Sequence, residues 1–179
     1  FQNHTASDAQ SDGLTHSSIW CIVKDNQGTL WLGTYFGGVN YFNPEYEIYS
    51  RYMYSPIEKK GLSNPVVGRT IEDKDGNLWI GTEGGGLNYY NRRTREFKWY
   101  RPQEGRNSIS HNNVKALYYD ADKEIIWIGT HLGGLNKLDI RSGHFTHYRM
   151  EEGNPNTLPS DIIRDIIPYK SLLIIATQN

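Results

Sequence analysis

The chain has 179 residues, a net charge of −1, 22% charged residues and 13% aromatic residues. This length suffices for one domain with a sizeable core. Balanced charge without a long Lys/Arg run argues against nucleic acid as a partner. No apolar run is long enough to span a membrane, so we expect no membrane contact by this segment. One cysteine, Cys21, excludes an internal disulfide framework.

One sequence motif occurs three times at constant spacing. It consists of Trp-(Ile/Leu)-Gly-Thr followed by a Gly pair and a short apolar segment. Trp31, Trp79 and Trp127 mark it and lie 48 residues apart. A period of this size, carried by β-type segments, is typical of a β-propeller with one blade per repeat. Helical repeats would need apolar residues at helical spacing across most of the unit, and none appear.

Each repeat reads as four short antiparallel strands. In the second repeat the alternating pattern predicts strands at 66–73, 78–82, 87–90 and 96–101. Asp75-Gly76 favours a tight turn between the first two. A basic run at 92–95 falls in the last turn, where we expect solvated side chains. Further first strands are predicted at 19–25, 114–120 and 162–168, a second strand at 173–177, and fourth strands at 48–52 and 145–149.

The fold class is therefore all-β, a β-propeller fragment of about three and a half four-stranded blades. Residues 1–12 align with an outer strand of a preceding blade and its link. Blades 1, 2 and 3 are assigned to 13–60, 61–107 and 108–156. Residues 157–179 read as the first two strands of a degenerate fourth blade, in which Ile174 replaces Trp and Ala176 replaces Gly.

Half a ring would leave strand edges open at both ends, and open edges pair with available strands. We therefore expect as a partner either the rest of its own propeller or a second copy that completes the ring.

Motifs for metal, cofactor or covalent chemistry are weak or missing. The Asp-rich turns at 25–28, 73–76 and 120–122 are too short for a calcium loop and are explained by turn chemistry. His111 and His131 could face a common surface but lack a third ligand. No nucleophile elbow, phosphate-binding loop or His-Glu-x-x-His motif is present. We assign no catalytic residue, no metal site and no cofactor.

Taken whole, the unit combines Leu-Ser, Asp-x-x-Gly-x-Leu-Trp-Ile-Gly-Thr-x-x-Gly-Gly-Leu-Asn and Phe-x-x-Tyr. It resembles the two-component regulator propeller repeat, most closely at 61–101. The resemblance implies a non-catalytic segment of a periplasmic sensor, part of an inner-membrane hybrid two-component histidine kinase that detects oligosaccharides. The kinase would lie elsewhere in the parent chain.

Propeller geometry predicts where a ligand would bind. Loops between strands two and three share one face with the connections between blades, at 54–64, 103–112 and 151–160. Their tips vary from blade to blade, as binding loops on a rigid frame do. One aligned position near the start of strand one lines the central channel. The candidate ligand-binding residues are Tyr35, Phe36, Glu83 and His131 in the loops, and Trp20, Lys115 and Arg164 at the channel.

Two other functions stay open. The frame could dock a protein through the same face. A carbohydrate-active enzyme would need two carboxylates converging near the channel, for which only Glu83 and Asp161 or Asp165 are suitably placed.

Overall fold

A computed structural model describes residues 6, 13–43 and 48–178, with the side chains of residues 48 and 49 left aside. Within these ranges it has fourteen strands and no helix. They are β1 (Ile19–Lys24), β2 (Leu30–Thr34), β3 (Val39–Asn43), β4 (Ile48–Tyr52), β5 (Val67–Glu72), β6 (Leu78–Thr82), β7 (Leu87–Asn91), β8 (Glu96–Tyr100), β9 (Val114–Asp120), β10 (Ile125–Thr130), β11 (Leu135–Asp139), β12 (Phe145–Tyr148), β13 (Ile163–Tyr169) and β14 (Leu172–Thr177).

The strands form separate antiparallel sheets in chain order. Three sheets have four strands, β1–β4, β5–β8 and β9–β12, and the fourth consists of β13 and β14. The innermost strands β1, β5, β9 and β13 each contact the next one, so the sheets stand side by side as blades. This confirms the all-β propeller fragment of about three and a half blades. Each predicted strand in the described ranges is found, with ends that differ by at most one residue.

The assignment of residues 1–12 to a preceding blade lies outside the described residues, apart from Ala6. Ala6 pairs with Leu14 in an isolated parallel bridge, and Tyr54 pairs with Leu62 in the same way one blade later.

The polar residues of the repeat lock each blade to its own inter-blade loop. In blade 2 the Asn88 side chain accepts a hydrogen bond from the Ser63 amide at 2.8 Å and donates to Ser63 Oγ at 2.8 Å. Ser63 Oγ in turn donates to the Gly85 carbonyl, and Thr82 Oγ1 donates to the Gly86 carbonyl. Because Asn88, Ser63 and Thr82 are buried, these bonds satisfy groups that would otherwise be costly to bury. Blades 1 and 3 repeat the network around Asn40 and Asn136.

The seams between blades are apolar and rich in aromatic rings. Trp31 of blade 1 packs 6.2 Å, centroid to centroid, from Tyr90 of blade 2, and Tyr52 packs 5.4 Å from Phe97. Trp79 lies in the next cluster with Leu138 and Phe145 of blade 3. The repeated tryptophan is therefore a seam residue that packs between rings of its own blade and side chains of the following blade.

The aspartates of the strand-one turns hold the seam tryptophans. Asp25 accepts hydrogen bonds from the Trp31 indole at 2.7 Å and from the Thr29 amide at 2.8 Å. Arg92 of blade 2 donates to the same carboxylate at 2.9 Å and lies over the Trp31 ring. Thus the basic run does lie in a turn, but the expectation of solvated side chains is wrong for Arg92. Its side chain is only 21% exposed because it spans the seam between blades 1 and 2.

We predict that Asp25→Asn weakens the acid dependence of stability. Burial raises the pKa of the Asp25 carboxyl, but the Trp31 indole, the Thr29 amide and the Arg92 charge outweigh it and hold that pKa below its usual range. The contribution is then complete above the unfolded pKa of about 3.9 and is lost as pH falls through the folded value. Asp25→Asn should cost about 1–3 kcal/mol at neutral pH and flatten the loss of stability in acid.

Urea unfolding at a series of pH values measures this effect. Asp122→Asn, at an exposed turn carboxyl, is the control and should leave the acid profile as in the wild type. An Asp25→Asn profile parallel to the wild-type profile would contradict the assignment.

Candidate functional site

A β-bulge recurs at the start of the innermost strand of every blade. In β1, Ile19 lies opposite Thr34 and Cys21 lies opposite Gly33, so one residue is left without a partner between them. The same shift occurs in β5, β9 and β13. A bulge bends the strand and re-aims the extra side chain. The four extra residues are Trp20, Gly68, Lys115 and Arg164, the aligned position that the sequence predicted to line the channel.

Bulges, loop tips and inter-blade connections meet on one face, which we call the rim. The Tyr35 amide donates to the Ser18 carbonyl, the Glu83 amide to that of Val66, and the His131 amide to that of Asn113, each at 3.0–3.1 Å. Every full blade thus presents three rim positions. The first is the residue after the Leu-Ser, Leu-Thr or Ile-Ser motif: His16, Asn64 and His111. The second is the bulge residue: Trp20, Gly68 and Lys115. The third is the loop tip: Tyr35-Phe36, Glu83-Gly84 and His131-Leu132.

The rim of blade 1 is an exposed aromatic platform. The Trp20 and Tyr35 rings are stacked, with centroids 4.9 Å apart and planes 21° from parallel. Phe36 meets Tyr35 edge-on at 4.4 Å, and His16 flanks Tyr35 at 6.2 Å. Trp20, Tyr35 and Phe36 are 45%, 37% and 55% exposed. These rings support one another but offer their outer faces to solvent.

The rim of blade 2 is polar and is bridged to blade 3. Glu83 forms an ion pair with Lys115, whose strand belongs to the next blade. The bulge residue of blade 2 itself is Gly68, which has no side chain to compete for Glu83. Glu83 and Asn113 also form an isolated antiparallel bridge, so backbone and side chain both join the two blades here.

The rim of blade 3 carries two neighbouring imidazoles. Burial lowers the pKa of His111, and the basic side chains of His131 and Arg149 lower it further. His111 Nδ1 accepts a hydrogen bond from the Asn113 amide at 3.0 Å. His131 Nδ1 and Asn112 Oδ1 are buried without a hydrogen-bond partner among the described residues.

The structure brings six of the seven predicted residues into three local groups. Trp20, Tyr35 and Phe36 stack together, Glu83 pairs with Lys115, and His131 neighbours His111. Arg164 is exposed on β13 and belongs to none of these groups. Whether any of the seven binds a ligand stays a prediction. His16 was missed, although the variable residue after each Leu-Thr or Leu-Ser motif was a signal that could have found it; Asn64 lies at the end of the inter-blade loop 54–64 that the sequence placed on this face.

The carboxylates near the channel are already engaged. Glu83 pairs with Lys115, and Asp165 accepts a hydrogen bond from Arg69 at 3.2 Å across the inner face of blade 3. Asp161 accepts from the Met150 amide at 2.8 Å. No group of three or more His, Cys, Asp or Glu side chains suited to a metal ion occurs in the ranges described.

The fold and the rim define a class of protein: a β-propeller segment whose invariant positions build the blades and whose varying positions gather on one face. The two component regulator propeller family model matches residues 13–36, 61–84 and 108–131. Each match runs from an inter-blade motif to a loop tip and so contains the rim positions of one blade, except Leu132, which follows the end of the third match. The chain therefore contains three repeats of the two component regulator propeller type.

Solved structures share this fold. A structure named as the extracellular domain of a hybrid two component system, BT3049 from B. thetaiotaomicron, is 27% identical, with a TM-score of 0.77 over 89% of this chain. The extracellular domain of BT4673 from the same organism, named as a one component system, is 23% identical, with a TM-score of 0.75 over 96% of the chain. PorZ, a surface component of the type-IX secretion system of Porphyromonas gingivalis, is 18% identical, with a TM-score of 0.69 over 97% of the chain.

This chain spans only 22% of the BT3049 and BT4673 domains and 27% of PorZ. At 23% and 18% identity, BT4673 and PorZ support the fold alone. Among curated proteins, none matches the chain. The described part of the chain holds no helix that is long and apolar enough to cross a membrane.

Proposed function

We propose that the chain is a ligand-sensing segment of the periplasmic sensor of a hybrid two-component histidine kinase, with an oligosaccharide as ligand. The kinase would lie elsewhere in the parent chain, and this segment would bind without catalysing a reaction. The observation that carries the proposal is the aromatic platform of Trp20, Tyr35 and Phe36 on the rim. The three matches to the family model and the likeness to BT3049 support the sensor role.

The platform has the features that a sugar ring needs. Aromatic faces take up the apolar face of a ring, while nearby polar groups orient its hydroxyls. The blade 1 platform offers two stacked rings and an edge-on third. Three adjoining rings that remain exposed form an apolar patch of the kind that marks binding surfaces. The polar rim of blades 2 and 3 supplies hydrogen-bonding groups beside it.

A purely binding role fits the carboxylates better than hydrolysis does. Glycoside hydrolysis requires two carboxyl groups facing one bond, one as acid and one as base or nucleophile. Glu83 lies on blade 2 and pairs with Lys115, whereas Asp165 lies on blade 4 and pairs with Arg69, so the two carboxylates do not face one bond. We therefore expect no hydrolysis of any glycan that binds, and Glu83→Gln and Asp165→Asn should leave that result unchanged.

We predict that Tyr35→Ala and Trp20→Ala each weaken oligosaccharide binding at least about tenfold, the equivalent of 1.4 kcal/mol. Each change removes one stacking face and leaves the partner ring unsupported. A glycan array identifies ligands, and calorimetry then compares the variants.

The control is Tyr169→Ala. Tyr169 is also an exposed tyrosine, but it ends β13 at the turn on the opposite face, so its removal should leave affinity unchanged. Equal losses for Tyr35→Ala and Tyr169→Ala, or no glycan bound at all, would contradict the proposal.

A protein-docking role is the second candidate, favoured by exposed apolar residues on the rim outside the platform, such as Leu132 and Met150. The partner expected from the sequence, the rest of the propeller or a second copy, also remains a proposal. It is supported by apolar side chains left exposed on blade 4, among them Ile167, Leu172 and Ile174. Light scattering coupled to size exclusion distinguishes a monomer from a dimer that completes the ring.

A further inference from the structure

A short turn precedes the innermost strand of blade 3 and joins the rims of two blades. We call residues 111–113 the junction turn. The Asn112 carbonyl accepts a hydrogen bond from the Gly86 amide of blade 2 at 2.7 Å. The Asn113 carbonyl accepts one from the His131 amide of blade 3 at 3.0 Å. The junction turn therefore ties the loop of blade 2 to the loop tip of blade 3.

A side chain at its first residue closes the junction turn. His111 Nδ1 accepts a hydrogen bond from the Asn113 amide at 3.0 Å. In blade 2 the aligned acceptor is Asn64 Oδ1, which binds the Val66 amide at 2.9 Å, and in blade 1 it is again an imidazole, His16. An amide oxygen accepts a hydrogen bond whatever the pH, whereas an imidazole nitrogen accepts only while it is unprotonated. The junction turn therefore depends on the protonation of one ring.

Two buried polar atoms beside the junction turn have no hydrogen-bond partner among the described residues. They are Asn112 Oδ1 and His131 Nδ1. An unmet buried polar atom costs stability, so this part of the rim has little stability in reserve. Loss of the bond to His111 should therefore open the turn instead of being absorbed by it.

The surroundings of His111 favour its neutral form. Burial lowers the pKa of His111, and the charges of His131 and Arg149 lower it further. The hydrogen bond to Nδ1 acts in the same direction, because only the neutral ring can accept it. The charged and titratable groups on the segments around the ring are His131 and Arg149, the paired Glu83 and Lys115, and Glu151, Glu152 and Asp161 of the next connection. Since the pKa is lowered, these carboxylates do not outweigh burial and the two basic neighbours.

We infer that His111 makes the junction between blades 2 and 3 sensitive to protons: the neutral ring closes the junction turn, and protonation opens it. A protonated Nδ1 carries a hydrogen that points at the Asn113 amide, so an attraction becomes a repulsion. The Asn112 and Asn113 carbonyls then hold Gly86 and His131 less firmly. Both loops gain freedom in acid, and any ligand contact that they make becomes weaker. This inference goes beyond the proposed function, since the opening needs no ligand.

The opening has a defined direction with pH. Because the pKa of His111 is lowered in the folded chain, the unfolded chain binds this proton first as the pH falls. The stability that the neutral ring contributes is complete above the unfolded value of about 6.5. It is lost as the pH falls from there through the lower folded value.

Amide hydrogen exchange, followed by NMR on the full chain, tests the inference at single residues. Protection factors correct for the intrinsic pH dependence of exchange. They should fall about tenfold at Gly86, Asn113 and His131 between about pH 7.5 and about pH 5. The matched reference is the turn of blade 2, where Asn64 is the acceptor, so the Val66 amide should keep its protection. Equal losses at Val66 and Asn113 would show a general loosening in acid and overturn the inference.

Variants identify the titrating group. His111→Asn copies the residue of blade 2 and supplies an acceptor that does not titrate, so the Asn113 amide should stay protected across the whole pH range. His111→Ala supplies no acceptor and should lower that protection about tenfold at both ends of the range. His131→Gln removes a neighbouring charge that lowers the pKa of His111, so the transition should move to higher pH. Circular dichroism checks that each variant keeps the blade fold.

Three results would overturn the inference. One is a constant protection factor at Asn113 in the wild type, and another is a transition that persists in His111→Asn. The third is a His111 ring in the Nδ1–H tautomer, which nitrogen chemical shifts identify, because that tautomer cannot accept the Asn113 amide. None of these measurements involves a sugar, so failure here leaves the proposed function standing, and failure of sugar binding leaves the proton-sensitive junction standing.

Discussion

Replacing Trp79 with alanine should lower the free energy of unfolding by about 3–5 kcal/mol. The side chain is 1% exposed, and its ring centroid lies 4.8 Å from that of Tyr89. Its indole donates to Asp73 at 3.1 Å. The change leaves a cavity at the seam between blades 2 and 3 and removes a donor from the Asp73 carboxylate, so both losses add. Urea unfolding followed by circular dichroism measures the effect.

Trp20→Ala is the matched control because the residue type is the same and the burial is opposite. With 45% of Trp20 exposed, we expect a loss of about 1 kcal/mol or less. Equal destabilisation by the two changes would contradict the view that Trp79 holds the seam between blades whereas Trp20 lies exposed on the rim. Sugar binding should show the reverse order of sensitivity, since Trp20 belongs to the platform.

Gly86→Ala should cost about 3 kcal/mol or more, because two penalties coincide at this position. Gly86 has φ +78°, in the left-handed region, and an added Cβ would lie 2.2 Å from the Tyr100 carbonyl oxygen. The oxygen belongs to the backbone of β8, so it cannot move aside without disturbing the blade.

Gly143→Ala separates the two penalties. Gly143 has φ +71°, but nothing lies within 4 Å of its added Cβ, so only the backbone strain of about 1 kcal/mol remains. The difference between the two variants measures the contact with Tyr100. If the two variants lose the same free energy of unfolding, then the left-handed backbone conformation alone explains the glycine at position 86. The contact with the Tyr100 carbonyl oxygen would then have no energetic role.

The blade frame could be predicted from sequence because its determinants are local and repeated. The alternating apolar pattern of β5 and the Asp-Gly turn after it specify strand and turn within a few residues. The same signals recur in every repeat, so each prediction is supported by the others. The structural role of the repeated polar residues could not be predicted in this way, because the hydrogen bond between Asn88 and Ser63 joins positions 25 residues apart in the chain.

The candidate site was predicted only in part. The loop tips could be found because they vary between fixed positions, and Tyr35, Glu83 and His131 occupy one such place. The stacking of Trp20 on Tyr35 depends on a β-bulge, which alternation in the sequence does not reveal. The pairing of Glu83 with Lys115 joins two blades, and only packing brings such residues together. Arg92, expected in solvent, reaches a buried carboxylate for the same reason.

By itself the sequence determined the architecture. The 48-residue period gave the length of a blade, and alternating apolar and polar residues gave its strands. The repeated Trp, Gly and Asn residues marked the positions that build each blade. Those properties arise from hydrogen bonds and apolar contacts that each repeat forms in the same way. The tertiary structure decided which varying residues share a surface, because bulges and seams juxtapose side chains that are far apart in the chain. The aromatic platform depends on the β-bulge within blade 1, and the Glu83–Lys115 bridge exists only once blades 2 and 3 stand side by side.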